Sequence, residues 1–133
     1  MFTLYKTLDG SGPVIEWFPG TNEEAISRGQ VLTLSSGALT GAGDDSDGAQ
    51  DFISLSTATG DGSTLLPVIR IKATDQYKTT SSGQIAATAL GNLYTLATTE
   101  LTITATTTKG VFKVDETDGA TTSAVVGHFP GAI

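Results

Sequence analysis

The chain carries one histidine, His128, and no cysteine. A Ser-His-Asp triad needs an imidazole that is held by a carboxylate and faces a nucleophile. Serines and aspartates are plentiful here, so their presence selects nothing, and His128 sits in the strand-like run Ala124–Phe129 near the C-terminus. A structural or surface role is the expectation for it. The absence of cysteine removes disulfides and thiolate metal sites. The run Asp44-Asp45-Ser46-Asp47-Gly48, with Asp51 nearby, offers oxygens to a hard cation such as Ca²⁺. No register of it gives the alternating acids, the glycine and the closing Glu of an EF-hand. A solvated acidic loop is expected there, with no bound metal. Gly60-Asp61-Gly62-Ser63-Thr64 has the glycine content of a phosphate loop but neither its lysine nor a following helix. The neighbouring carboxylates Glu23-Glu24 and Asp115-Glu116 read more simply as loop charges than as a glycosidase pair. The chemistry-bearing residues therefore predict a protein that is not an enzyme and takes no cofactor.

The elements that must position these residues are organised around a repeat. Gly29-Gln30-Val31-Leu32-Thr33-Leu34-Ser35-Ser36-Gly37-Ala38-Leu39-Thr40 returns, without a gap, as Gly91-Asn92-Leu93-Tyr94-Thr95-Leu96-Ala97-Thr98-Thr99-Glu100-Leu101-Thr102. Glycine meets glycine and amide meets amide. Two apolar residues, Thr-Leu, a small polar turn and Leu-Thr follow in both copies. The reading is a duplicated β-unit, each copy a strand, a turn and a returning strand. Chance likeness between two Thr- and Leu-rich hairpins is the alternative. The repeat units span about 25–80 and 88–129, within a single β domain over 21–133.

Residues 1–20 read as an N-terminal arm. Phe2–Tyr5 is a short strand pattern, Asp9–Pro13 a turn cluster, and Val14–Phe18 an apolar run closed by Pro19-Gly20. This segment holds the only Trp. Such a run must dock on something, and Leu4, Tyr5, Val14, Ile15, Trp17 and Phe18 are the candidate partner-contact residues. Thr21–Arg28 has the pattern of one capped helical turn. Leu65–Lys72 is the best strand, with Ile69 and Ile71 on one face and Pro67 marking an edge or bulge. Leu101, Ile103 and Ala105 alternate with threonines as inward residues of another strand. Gly110–Asp115 matches the Phe52 strand in place, and Asp118-Gly119 signals a hairpin. Strands every 8–12 residues, with no long helix, predict an all-β sandwich or small barrel.

Composition bounds the partners. The 133 residues suit one domain that can bury a core without staples. Charged residues make up only 16%, leaving Thr, Ser, Gly and Ala to fill the outer faces of strands. A net charge of −7 argues against nucleic acid and against an anionic membrane surface. Met1–Lys6 lacks the basic start and apolar run of a secretory signal, and no apolar stretch reaches the length of a membrane span, so a soluble protein is expected.

Four segments carry a resemblance. Lys6–Phe18 (KTLDGSGPVIEWF), Ala25–Gly43 (AISRGQVLTLSSGALTGAG), Leu65–Thr80 (LLPVIRIKATDQYKTT) and Thr106–Phe129 (TTTKGVFKVDETDGATTSAVVGHF) look like the small decoration, or cement, proteins of tailed bacteriophages. The resemblance covers most of the chain but is one of pattern, and the arm departs from it in being short and not basic. It implies a β-barrel or β-tulip-like domain with an internal two-fold pseudo-repeat and an extended arm, assembled as a homotrimer. It further implies a structural virion protein, made in the host cytoplasm and located on the capsid exterior. There it would bridge major capsid protein subunits and stabilise the shell. No catalytic motif belongs to the family. The alternative function is a carbohydrate-binding or adhesion module displayed on a virion or cell surface.

Overall fold

The computed structural model describes residues 1–44, 46 and 48–132. The strands are β1 (Thr3–Thr7), β2 (Ile15–Pro19), β3 (Ala25–Ile26), β4 (Val31–Ser35), β5 (Ala38–Gly41), β6 (Phe52–Ser54), β7 (Ala58–Thr59), β8 (Leu65–Arg70), β9 (Asp75–Thr80), β10 (Leu93–Tyr94), β11 (Phe112–Thr117) and β12 (Ala124–His128). One 3₁₀ turn, Ala87–Ala89, is the only helical element among the described residues.

The first sheet has the order β2-β8-β6-β4-β5, the second β1-β9-β12-β11-β10, and β3 pairs with β7 as a small separate ribbon. Every strand pairing is antiparallel. The two sheets share one plan. In the first, Leu32 of β4 pairs Phe52 of β6, and Ile53 pairs Ile69 of β8. In the second, Tyr94 of β10 pairs Phe112 of β11, and Lys113 pairs His128 of β12. The strand that precedes each unit, β2 or β9, then pairs with β8 or β12. Its end meets the returning strand of its own unit in a single parallel bridge, Gly20 to Leu39 and Ser81 to Ile103. The sheets curl at these bridges without closing, so the barrel or tulip expected from the sequence is replaced by two open, curled sheets.

The ungapped match of the two copies holds only as far as the turn. Ser36 and Gly37 both have positive φ, which makes a two-residue hairpin in which Leu34 faces Leu39. Thr98 and Thr99 are β-branched and resist that conformation. The second copy instead places the positive φ at Glu100 and closes Leu96 against Ile103, two residues later. Ile103, not Leu101, is therefore the counterpart of Leu39. The Leu101–Ala105 strand reduces to a bridge at Ile103, and Ala105 is exposed.

Other expectations change for local reasons. Residues 1–20 are not an extended arm: β1 pairs β9, β2 pairs β8, and Phe2 is buried in the core. Thr21–Arg28 is not a helical turn, because Glu23 has a positive φ and its backbone locks to Gly60. Glu24 sends its carboxylate to the Thr40 hydroxyl and its backbone to Gly60, which allows β3 to pair β7. Pro67 lies in an interior strand, at the point where β6 has run out and no N–H is required of it. Asp118-Gly119 opens a longer connection, in which the Asp118 carboxylate accepts from the Ala120 and Ala124 amides.

The main core lies between the sheets. Val31, Ile53 and Ile71 of the first pack with Phe2, Tyr77, Ile103, Phe112, Val125 and Phe129 of the second. Phe2, Phe112 and Phe129 form a ring cluster with centroids 5.0–5.6 Å apart. The opposite face of the first sheet carries a smaller core of Leu32, Leu39, Phe52, Leu66 and Val68 with Ile26 of the β3–β7 ribbon.

Candidate functional site

The residues singled out for chemistry are engaged with one another. His128 Nδ1 lies 2.8 Å from Asp115 Oδ2, which also accepts from Gln76 Nε2 at 3.0 Å. An imidazole oriented by a carboxylate is half of a triad. No serine or threonine hydroxyl hydrogen-bonds to His128 among the described residues, so the pair staples β11 to β12 beside β9. The pairing was hidden in the sequence, because a register shift between Val114 and Glu116 brings Asp115 to this position. In the Gly60–Thr64 loop, Asp61 takes up the amides of Ser63 and Thr64. The amides a phosphate would need are already occupied. The Thr64 hydroxyl and then these amides pull the Asp61 carboxyl down to about 2. Asp45 and Asp47 of the acidic loop lie outside the described residues. Among the described residues no group of three acidic or histidine side chains converges on one point.

A cavity of about 420 Å³ opens between the sheets, lined by Asp51, Arg70, Ile71, Val111 and Phe129 among others. Its charged groups have partners: Asp51 accepts from the Thr33 hydroxyl at 2.6 Å, and Arg70 pairs with Glu16.

A second polar group is buried outright. Asp75 and Tyr77 open β9 with no solvent exposure, and neither the Asp75 carboxylate oxygens nor the Tyr77 hydroxyl has a side-chain hydrogen-bond partner among the described residues. The Lys72 ammonium approaches Asp75 at 3.8 Å. Burial pushes the Asp75 carboxyl upward, Lys72 opposes this and Asp9 adds to it. Burial likewise pushes the Tyr77 hydroxyl upward. A carboxyl whose folded pKa is raised binds a proton more readily in the native state than in the unfolded chain. Its stabilising contribution is therefore present at low pH and is lost as pH rises through the folded pKa. Asp75→Asn is expected to stabilise the protein at pH 7 by about 1–2 kcal/mol. The gain should shrink as pH falls toward 4. Urea denaturation of both proteins at pH 7 and pH 4 measures this. A variant less stable than wild type at pH 7 would show that the Lys72 pair outweighs desolvation.

The six partner-contact candidates separate into groups. Leu4 packs on the main core and Phe18 on the smaller one, 5.2 Å from the Phe52 ring. Tyr5 stands apart on β1, with the Lys78 ammonium 4.4 Å and the Lys6 ammonium 5.3 Å from its ring centre. Ile15 and Trp17 of β2 remain exposed, Trp17 at 58%, as does Val14 just before the strand. Cross-strand pairing sets Ile15 against Ile69, Trp17 against Pro67 and Pro19 against Leu65. By alternation these six side chains share one sheet face. Leu65 is 54% exposed, and sequence reading missed it together with Pro67. The signal was available: Leu65, Pro67 and Ile69 alternate along β8 as Ile15, Trp17 and Pro19 do along β2. A contiguous exposed apolar face of this kind marks a contact surface. It offers shape and apolar area but no reactive group.

No family model matches the chain, and no curated protein matches it.

Proposed function

We propose that the protein is a structural virion component that binds the outer surface of a bacteriophage capsid and bridges major capsid protein subunits. The observation that supports this reading most is the apolar face of Ile15, Trp17, Leu65, Pro67 and Ile69, exposed at Ile15, Trp17 and Leu65, on a sheet whose other side is packed. Its mechanism is non-covalent. Apolar area is removed from water at a shell seam, and many symmetric copies add their weak contacts. The experiment is co-sedimentation with expanded capsids of the phage that encodes the chain. Trp17→Ser with Leu65→Ser is expected to weaken binding by about 30-fold or more, the loss of an anchor residue or greater. Unchanged binding by the folded double variant would remove this face from the function.

A second reading follows from Trp17 alone. A solvent-exposed indole beside a proline ring is a platform on which a sugar can stack, so a carbohydrate-binding module remains the alternative proposal. Quenching of the only Trp by oligosaccharides, absent in Trp17→Ser, would favour it over the capsid reading.

A further inference from the structure

The shared plan of the two sheets exposes a difference at one edge. In the second sheet the start of β9 is covered by β1, with Thr3 against Lys78, Leu4 against Tyr77 and Thr7 against Asp75. The equivalent stretch of the first sheet is Val14–Trp17, since Gly20 and Ser81 hold matching places at the parallel bridges. Among the described residues no strand covers it: β2 is the outer strand of its sheet, and β5 reaches only its far end at Gly20. The Arg70 N–H donates to the Val14 carbonyl, and the pairing with β8 runs on from there. Antiparallel alternation then turns the backbone groups of Ile15 and Trp17 outward, away from β8.

Edges of sheets are normally blocked by a bulge, a lysine, a proline or an inward charge. The β1 edge carries two of these, a register shift between Leu4 and Lys6 and Lys6 itself. β2 has neither. Its one charge, Glu16, is paired with Arg70 of β8, and the residues whose backbone points outward are Ile15 and Trp17, exposed at 54% and 58%. We infer that a second copy of this chain occupies the edge, β2 against β2 in antiparallel pairing about a two-fold axis.

Chemistry selects the register. Centring the axis on Glu16 would set two like charges opposite each other, which is destabilising. Centring it on Trp17 would require the Pro19 carbonyl, which lies beside the Gly20–Leu39 bridge to β5. Centring it on Ile15 avoids both. The Ile15 N–H and C=O groups of the two copies then bond reciprocally, each Trp17 N–H reaches the Pro13 carbonyl of the other copy, and Glu16 faces Val14. The pair places both copies of Ile15 and Trp17 on one continuous face and so doubles the apolar surface described above. This dimer differs from the trimer implied by the phage resemblance, because a sheet edge joins chains in twos. Its existence does not depend on what the doubled face binds.

The test uses the full chain alone. Sedimentation equilibrium is expected to give twice the 13.6 kDa chain mass. The association should tighten as salt screens the −7 charge on each copy. Ile15→Pro deletes the outward N–H and leaves the β8 ladder intact, so it should halve the mass. Ile15→Cys should cross-link to a dimer on oxidation, because paired Cα atoms lie about 5.5 Å apart. Trp17→Cys should not. The chain has no other cysteine to confuse the result. A monomer at hundreds of micromolar in high salt, a trimer, or a folded Ile15→Pro variant that keeps the dimer mass would each overturn the inference. Cross-linking through Trp17→Cys but not Ile15→Cys would overturn the register. If Ile15→Pro does not fold, the paired cysteine variants decide the question.

Discussion

Phe112→Ala is expected to cost about 3–5 kcal/mol of stability, the range for deleting a fully buried phenyl ring. Phe112 has no solvent exposure. Its ring lies edge-on to Phe2 at 5.4 Å and to Phe129 at 5.0 Å. It therefore joins three distant parts of the chain: the N-terminal residues, β11, and the residues after β12. The backbone of Gly127 approaches the same ring so closely that an added Cβ would stand 2.7 Å from it. The walls of the resulting cavity belong to both sheets, whose separation is set by the rest of the core, so collapse onto it is limited. For a domain of this length the loss corresponds to a fall in Tm of about 10–20 °C. Thermal unfolding followed by circular dichroism measures it. A drop of less than about 1 kcal/mol would mean that the ring cluster is not the junction of the two sheets.

Gly60→Ala is expected to destabilise by about 2–3 kcal/mol, and to do so locally first. A Cβ at Gly60 would lie 2.1 Å from the Thr21 carbonyl oxygen and 2.6 Å from the Gly20 carbonyl carbon. These are backbone atoms, held where they are. Gly60 exchanges hydrogen bonds with Glu23 and Glu24, and the Gly62 N–H donates to the Gly20 carbonyl. No side chain can swing aside to relieve the overlap, so the segment must lift. The β3–β7 ribbon would rise with it and uncover Ile26, Leu39 and Leu66. Hydrogen exchange should accelerate at Ala25–Ile26 and Ala58–Thr59 before the main core responds. Gly12→Ala is the control, because its Cβ would meet nothing within 4 Å. Equal effects from the two substitutions would rule out the steric account.

Much of the architecture was legible in residue order. Strand patterns placed β1, β6, β8, β11 and β12, an apolar run marked the position of β2, and the Gly29–Thr40 motif located the strands at which the two units begin. The Gly-Gln-Val-Leu and Gly-Asn-Leu-Tyr openings carry this information because a strand inside a sheet needs the same local residues wherever it lies. The class of the fold followed from the same signals: frequent turn residues, β-branched runs and no helical period.

Tertiary structure alone decided where each strand went and what it left uncovered. Two apolar runs near the N-terminus, Phe2–Tyr5 and Val14–Phe18, read alike in sequence. One enters the second sheet with Phe2 in the core, while the other edges the first sheet with Trp17 in solvent. The difference lies in partners distant along the chain: β9 offers a free edge to β1, and β8 takes β2. Register between strands, which local residue order does not record, hid the His128–Asp115 pair and the burial of Asp75. Alternation assigns a residue to one of two faces. Which face is covered is set by the sheet packed against it, and no local pattern within β2 or β8 records that the second sheet stops short of Trp17 and Leu65.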